Sequence, residues 1–420
     1  QEQNYIKTES IDKNMSKYIA LVDCDSFFVS CERKLNPELN GLPVSVVSGE
    51  RGCVISRSKE AKALGVPMGI PLFQAVEKFP SCIYINANHY CYGKISSMVM
   101  KILKEYSPNV QVYSIDEAFV DFTGLTRLYG KNYYELAHEL QNRILKEVDI
   151  PVSIGVGRTK TLAKLASDKA KNTKTRIALA GLKTKTKLLK NTEIKEVWGI
   201  GRKLAPKLNG YGIKTAYDYI QKEDEWIKKR FGKNGLATKV ELCGMIVSPI
   251  TNEIELPKSI SDTKSFPEFS SDLNFLKNEL SVHIHSTCKK LRKINCKCST
   301  IGVLIKTKDF QTIYEKVDLE VPLDFEFDIS KMAFSILEKV FSPSVMYRSI
   351  GIVLENFCQT SEEQLKLFVD DSKNSHSKNL GKSLDRLEQK YGRNIVRTGF
   401  VDKEVPYKQN FLTLPKDDLL

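Results

Sequence analysis

Apolar residues recur along this chain with two different periods, and the switches between them outline its elements before any chemistry is considered. Residues 18 to 24, YIALVDC, form a short apolar run ending in acid, as a buried strand does where it delivers residues to a site. Asp25 opens a polar break, and FFVSCERKL then reads as a first helix before the turn signals of LNPELNGLP. PVSVVS predicts a strand, followed by a loop-rich segment containing GVPMGIP that reaches about residue 85. From Asn88 to Glu105 the apolar positions return to helical spacing. VQVYS and AFVDFT predict strands on either side of an acidic turn, residues 131 to 147 a helix, and VSIGVG a further strand. Apart from its insertion, the order from residue 19 to 157 is the βαββαβ order of a ferredoxin-like unit.

A helix beginning near Thr159 carries Leu162, Leu165 and Ala166 on one face, and Lys160 and Lys164 four apart on another. A Lys-rich stretch, expected to be exposed, runs from 171 to 190. VWGIGRKLAPKLNGYGIKTAYDYI opens a compact helical region extending to about residue 250. Residues 257 to 357 predict strand, long helix, strand, strand, helix and strand, a second α+β unit. Beyond it the chain is polar and reads as loose, and no repeat of solenoid period occurs. With 420 residues, more than one core is required, so the expected class is multidomain α+β.

Charge narrows the partners. A formal net charge of +13 and a pI near 9.0 favour a polyanion, with nucleic acid ahead of an anionic membrane because no basic amphipathic helix with an aromatic face stands out. No apolar stretch is long enough to cross a bilayer, and the polar start QEQNYIKTESIDKN reads as a short frayed extension lacking a secretory core. Ten cysteines without such a signal point to free thiols in a reducing cytoplasm. The segment HIHSTCKKLRKINCKC holds His283, His285, Cys288, Cys296 and Cys298, but its spacings match no common zinc pattern and are read as a helix followed by a strand.

The candidate chemistry is acidic. Asp23 ends one predicted strand, and Asp116 and Glu117 sit in SIDEAFVDF, where ionised groups among apolar neighbours need compensation. The central strands of a βαββαβ sheet are adjacent, so the three carboxylates could share one place, and like charges there must take up protons or cations. Divalent ions with hard oxygen ligands suit such a set, and Mg²⁺ characteristically combines one or two carboxylates with substrate phosphates. Adjacent strand residues point to opposite faces, so Asp116 and Glu117 both reach a metal only if the chain bends there.

Taken together, LVDCDSFF, GCVISRSKEAKALGVPMGIPLF, YSIDEAF, GRTKTLAKLA and VWGIGRK resemble, in form and order, the Y-family translesion DNA polymerases, and within them the UmuC-like branch, over nearly the whole chain. The resemblance implies a right-hand polymerase. Its ferredoxin-like palm would occupy residues 18–34 and 86–190, with small fingers at 35–85 and a helical thumb at 191–250. The little finger would span 257–357, flanked by an extension at 1–17 and a tail at 358–420. It implies two Mg²⁺ ions held by Asp23, Asp116 and Glu117, with the backbone carbonyl of Cys24 as a further ligand. Phe28 would occupy the steric-gate place under the deoxyribose, whereas its neighbour Phe27 would be a core aromatic. Lys164 would contact the incoming triphosphate. Lys59 and Lys62 stand where many members carry Tyr and Arg, so Arg-type bidentate gripping is missing at Lys62.

Partners follow from the same resemblance. Gly199 and Gly201, with Arg202 and Lys203 starting the next helix, would form the hairpin of a helix-hairpin-helix that holds a DNA phosphate. Lys289, Lys290, Arg292, Lys293 and Lys297 would track the duplex backbone. Gln364, Leu365, Leu367 and Phe368 of EQLKLF match a sliding-clamp peptide, an apolar anchor whose tether raises its effective concentration. UmuD-like and recombinase partners, damage-induced SOS expression and a nucleoid-associated cytoplasmic location are family expectations, and no membrane partner is expected. The expected activity is low-fidelity, template-directed addition of deoxyribonucleotides opposite damaged bases, the short Gly- and Ser-containing finger insertion suggesting an open site. A non-catalytic DNA- and clamp-binding relative, or a nucleotide cyclase on a similar palm, are the rival readings.

Overall fold

In the computed structural model, residues 17–49, 52–181, 183–251 and 256–359 are described, together with Leu380, Gly381, Ser383, Leu384, Arg386, Leu387 and Lys390. The chain divides into two compact units, Gln1–Ile254 and Glu255–Leu420.

The first unit opens with β1 (Ile19–Cys24), buried along its whole length, and α1 (Phe27–Leu35). Next come β2 (Val44–Val47), β3 (Val54–Arg57), α2 (Lys59–Ala63), α3 (Leu72–Lys78) and β4 (Ile83–Asn86). They are followed by α4 (His89–Tyr106), β5 (Val110–Val112), β6 (Glu117–Asp121), α5 (Leu125–Tyr129) and α6 (Tyr133–Val148). After β7 (Val152–Gly157), α7 (Lys160–Ala170) and β8 (Ile177–Ala180), the unit ends in α8 (Lys185–Lys190), α9 (Ala205–Gly210), α10 (Ala216–Ile220) and α11 (Asp224–Cys243), kinked at Gly232.

Among the described residues of this unit the strands form a larger sheet in the order β5-β6-β1-β7-β8 and a smaller one in the order β3-β2-β4. In the larger sheet β1 runs antiparallel to both β6 and β7, and β8 is parallel to β7. The two-residue period of a strand then sorts the side chains. Ala20, Val22 and Cys24 of β1 join Ala118 and Val120 of β6 in a core with α4 and α6. Ile19, Leu21 and Phe119 face the opposite way, against Ala163 of α7. Leu21 is fully buried there, so truncating it to Ala would cost about 2–5 kcal/mol.

Glycine brings α7 close to the sheet: a Cβ at Gly155 would stand 2.0 Å from the Ser167 backbone nitrogen, and one at Gly157 2.8 Å from that of Ala163. Thr159 caps the helix, its hydroxyl accepting from Leu162 N at 3.2 Å. Glu241, buried at the end of α11, accepts from the Thr161 amide at 3.1 Å and from the Val247 and Ser248 amides at 3.2 and 2.9 Å. That places an anion at the α7 N-terminus and ties α11 to the sheet.

Three expectations change here. The stretch from 171 to 190 is not simply a solvated face, since Ile177 and Ala180 are buried in β8 and Leu189 beneath α8. The segment before residue 86 is not mainly loop: β2, β3 and β4 enclose, with α2 and α3, a small core of Val47, Val54, Ala61, Val66, Ile70, Ala75 and Cys82. Lys160, expected on one helix face with Lys164, turns to a different set of partners. It is buried, donating to Gln111 Oε1 at 2.5 Å and to the Pro249 carbonyl at 2.7 Å.

The second unit contains β9 (Ser259–Ser270), α12 (Leu273–Lys293), β10 (Cys296–Thr307), β11 (Thr312–Leu323), α13 (Glu326–Val340) and β12 (Tyr347–Gln359). Its sheet has the order β11-β10-β12-β9 with every neighbour antiparallel. Ile301, Val303, Ile305, Ile350, Ile352 and Leu354 pack there with Leu280, Ile284 and Leu337 from the two helices. His283 pairs through Nδ1 with Asp262 at 3.2 Å and His285 through Nδ1 with Glu326 at 3.0 Å. Although burial works against it, bonding to His283 and Ser286 pulls Asp262 down to about 2. All ten cysteines are free thiols. Among the described residues no helix is long and apolar enough to cross a membrane.

Candidate active site

Strand register decides which acids meet. Asp23 on β1 lies directly opposite Glu117, the first residue of β6, and both side chains therefore share the face that α7 covers. Asp23 is buried, 4% exposed. Asp116 precedes the strand in a bend where the Tyr113 and Ser114 amides both donate to the Glu117 carbonyl, at 3.0 and 3.1 Å. Strict strand alternation thus stops at Glu117, which is how the chain accommodates consecutive acids. The Asp116 carbonyl accepts from Cys24 N at 2.9 Å, and its carboxylate is held by the Ser114 hydroxyl. Cys24 turns its thiol into the core, where burial first, then the charges of Asp116 and Asp23, push it well up. Only the Cys24 backbone carbonyl remains for a ligand role.

The charges are compensated from α7. Lys164 Nζ pairs with Glu117 and stands 3.6 Å from Asp23, and Lys171 Nζ lies 2.7 Å from Asp23 Oδ2. Burial, reinforced by a hydrogen bond with Asp23, pushes Glu117 up to about 7 even though Lys164 opposes this. For both lysines burial disfavours the ammonium, but Glu117 beside Lys164 and Asp23 beside Lys171 more than offset it and raise their pKa values. Lys171 was missed in the sequence. Its signal was there, since residues seven apart lie two turns along one helix face and Lys171 follows Lys164 by seven.

Phe28, half-buried on α1, stacks on Tyr92 of α4 with ring centroids 4.7 Å apart and meets His89 edge-on at 5.5 Å. Phe27 points into the core, as read from the sequence. Lys59 and Lys62 are exposed on α2, and Lys62 Nζ reaches Ser26 Oγ at 3.3 Å, just ahead of Phe28. Partial burial, then the positive charges of Arg57 and Lys171, lower the Lys62 pKa. Cationic groups therefore gather beside the acids.

The other expected sites are distributed as follows. Gly199 adopts φ +89° in a tight turn, but the helix after it starts at Ala205 rather than Arg202, because Arg202, Lys203 and Leu204 form a turn and Pro206 occupies the first helical turn. Gly201, Arg202 and Lys203 are exposed. Lys289, Lys290, Arg292 and Lys293 lie in the last turns of α12, where Lys290 and Lys293 are exposed and Lys290 approaches Asp262 at 3.4 Å. Lys297 departs from expectation, being only 6% exposed on β10. Gln364, Leu365, Leu367 and Phe368 lie outside the described residues.

Comparison with known proteins follows the same outline. The impB/mucB/samB family model matches residues 22–168, the model of that family's C-terminal domain residues 257–367, and the model of its HHH motif residues 185–213. Protein UmuC of Salmonella typhimurium is 33% identical over 389 residues, covering 90% of this chain and 92% of its own. This chain belongs to the Y-family DNA polymerases, in the impB/mucB/samB family. DNA polymerase IV of Dehalococcoides mccartyi is 31% identical over 382 residues, covering 90% of this chain and 96% of its own. Among solved structures, a chimeric Y-family DNA polymerase of the Dbh type aligns with a TM-score of 0.70 at 26% identity, covering 82% of this chain and 100% of that one. An insertion ternary complex of Dbh DNA polymerase aligns at 0.57, with the same identity and coverage.

The Y-family member described here is a DNA-directed DNA polymerase of the low-fidelity, translesion class, with the α+β right-hand architecture expected from its sequence. The comparisons do not favour the non-catalytic reading. Members of the family generally depend on divalent metal. The donors fit that chemistry: two opposed carboxylates and a third adjacent in sequence offer hard oxygens, with Asp23 and Glu117 already paired to Lys171 and Lys164. No group of three or more Asp, Glu, His or Cys side chains placed to hold a metal ion occurs among the described residues.

Proposed function

We propose that this polymerase adds deoxyribonucleotides by two-metal nucleotidyl transfer at Asp23, Asp116 and Glu117, with the Cys24 carbonyl as an additional ligand. The observation carrying this is the direct opposition of Asp23 and Glu117 across β1 and β6, with Lys164 and Lys171 bound to them. When bound, two Mg²⁺ ions supply a lowered pKa for the primer 3′-hydroxyl and charge stabilisation for the departing pyrophosphate. The protein's own groups do the rest. Lys164 and Lys171 exchange carboxylate partners for triphosphate oxygens, assisted by Lys62 and Lys59. Phe28, braced by Tyr92, lies under the sugar and leaves no room for a 2′-hydroxyl.

The same reading gives the DNA contacts. Backbone amides around Gly199 and Gly201, with Arg202 and Lys203, hold a phosphate without reading bases. Lys289, Lys290, Arg292 and Lys293 add sequence-tolerant, salt-dependent attraction to primer-template DNA. Residues 364–368 dock on a sliding clamp, UmuD-like or recombinase proteins assist, and the protein works at the nucleoid in the cytoplasm during the SOS response.

Primer extension on templates carrying an abasic site or a pyrimidine dimer, with and without clamp, tests the proposal. Metal-dependent insertion opposite the lesion, extended for a short tract, is the expected result, and absence of any extension by the pure protein with clamp overturns it. Proton competition provides a separate check. Glu117 titrates near 7, so Mg²⁺ must displace a proton below that pH but not above it. Metal affinity measured by calorimetry should therefore weaken by up to about tenfold per pH unit as the pH falls from 7 toward 5, and level off above 7. A flat profile across that range would count against Glu117 as a ligand.

A further inference from the structure

Between Asp23 and Phe28 lies a turn with an ionic grip of its own. Asp25 is mostly buried, its carboxylate 13% exposed, and is gripped from β7 and the approach to β8. Arg176 pairs with Asp25 Oδ2, Ser153 Oγ donates to Oδ1 at 2.8 Å, and the Asp25 amide donates to the Pro151 carbonyl at 2.9 Å. On the α1 side Ser30 Oγ donates to the Asp25 carbonyl at 2.6 Å, and Ser26 adopts φ +45°, a left-handed conformation costly for a side-chain-bearing residue. Arg176 is itself left-handed at φ +56°, while its carbonyl accepts from Ile154 N at 2.9 Å where β8 joins β7. A glycine would suit that backbone better. Such conformations persist only where their surroundings over-determine them, and here the Arg176–Asp25 ion pair joins one of them to the residue preceding the other.

We propose that Arg176 is a positioning residue: through Asp25 it fixes the Asp25–Ser26 turn and so sets where the Phe28 ring stands relative to Asp23, making sugar selection depend on a residue at the edge of β8. The inference rests on the reading of Phe28 as the sugar filter. It also accounts for an arginine at a backbone position that favours glycine, because only a long cationic side chain spans from β8 to the turn.

The test uses Arg176→Gly, which relieves the backbone while removing the ion pair, beside Arg176→Lys, which keeps the charge. Arg176→Gly relieves the backbone but leaves the Asp25 carboxylate unpaired, so it is expected to melt below the wild-type temperature and to lose about tenfold of its preference for dNTP over NTP, mainly through kcat. Arg176→Lys should recover part of that preference. In parallel, 4-fluorophenylalanine introduced at position 28 alone reports the ring by ¹⁹F NMR. A single sharp line in the otherwise wild-type protein should broaden or split in Arg176→Gly. An unchanged line, or an activity loss equal for both sugars, overturns the proposal. Should Phe28→Ala leave sugar preference intact, the filter reading falls instead, and the fluorine line alone decides whether Arg176 places the ring.

Discussion

Replacing Asp116 and Glu117 by Ala is expected to lower the rate of nucleotide addition by about a thousandfold or more, roughly 4 kcal/mol of transition-state stabilisation, while primer-template binding changes little. Glu117 faces Asp23 across the strand pair, and Asp116 sits in the bend beside Cys24, so the double substitution strips the site of two of its three carboxylates. In the proposed reading, DNA affinity rests on phosphate contacts far along the chain from these acids. One side effect must be separated from the chemistry. Lys164, 18% exposed, would lose its Glu117 partner, and an uncompensated ammonium at a mostly buried place is destabilising. Asp116→Asn with Glu117→Gln keeps shape and hydrogen bonding, and should be nearly as inactive with a smaller loss of thermal stability. Single-turnover extension beside fluorescence anisotropy on the same DNA separates the two quantities. Activity within tenfold of wild type in the Asn/Gln protein would remove these acids from the mechanism.

Much of the fold was legible because long elements carry unambiguous periods. The helices at His89–Tyr106 and Tyr133–Val148 and the strands ending in Cys24 and Gly157 follow directly from apolar spacing. What escaped was short or only partly buried. Strand β8 offers just Ile177 and Ala180 to the interior between lysine-rich flanks, and β4 exposes both of its end residues. The start of α9 was misplaced by three residues because the G-x-G turn was taken to lead straight into a helix, although Pro206 marks the first turn more accurately. At the site, Asp23 and Glu117 were legible because strand adjacency follows from the βαββαβ order. Arg176 was not, since it lies in a stretch whose composition reads as solvated and only tertiary packing turns it inward, and in that same stretch the helical spacing of Lys171 from Lys164 was passed over. Asp25 was overlooked because a lone acid in a polar break normally faces water, whereas here the antiparallel neighbour β7 covers it.

Phe28→Ala is expected to reduce discrimination against ribonucleotides by about a hundredfold, the range that pocket shape alone can provide, with a much smaller effect on deoxyribonucleotide insertion. The ring cannot simply yield to a 2′-hydroxyl, because Tyr92 stacks against it at 4.7 Å and His89 meets it edge-on. Tyr92 is in turn fully buried and donates its hydroxyl to Glu32, a carboxylate whose pKa is raised by burial and lowered in part by that bond. A stack anchored at its far end transmits steric pressure that a free-standing aromatic would relieve by rotation. Truncation to Ala removes the obstruction without touching Asp23, so kcat/KM for NTP should rise while that for dNTP falls modestly. If instead both substrates lose activity equally, Phe28 supports α1 and is no filter. Phe27→Leu provides the contrast: it repacks a core ring facing away from the site, and should lower stability with sugar preference unchanged.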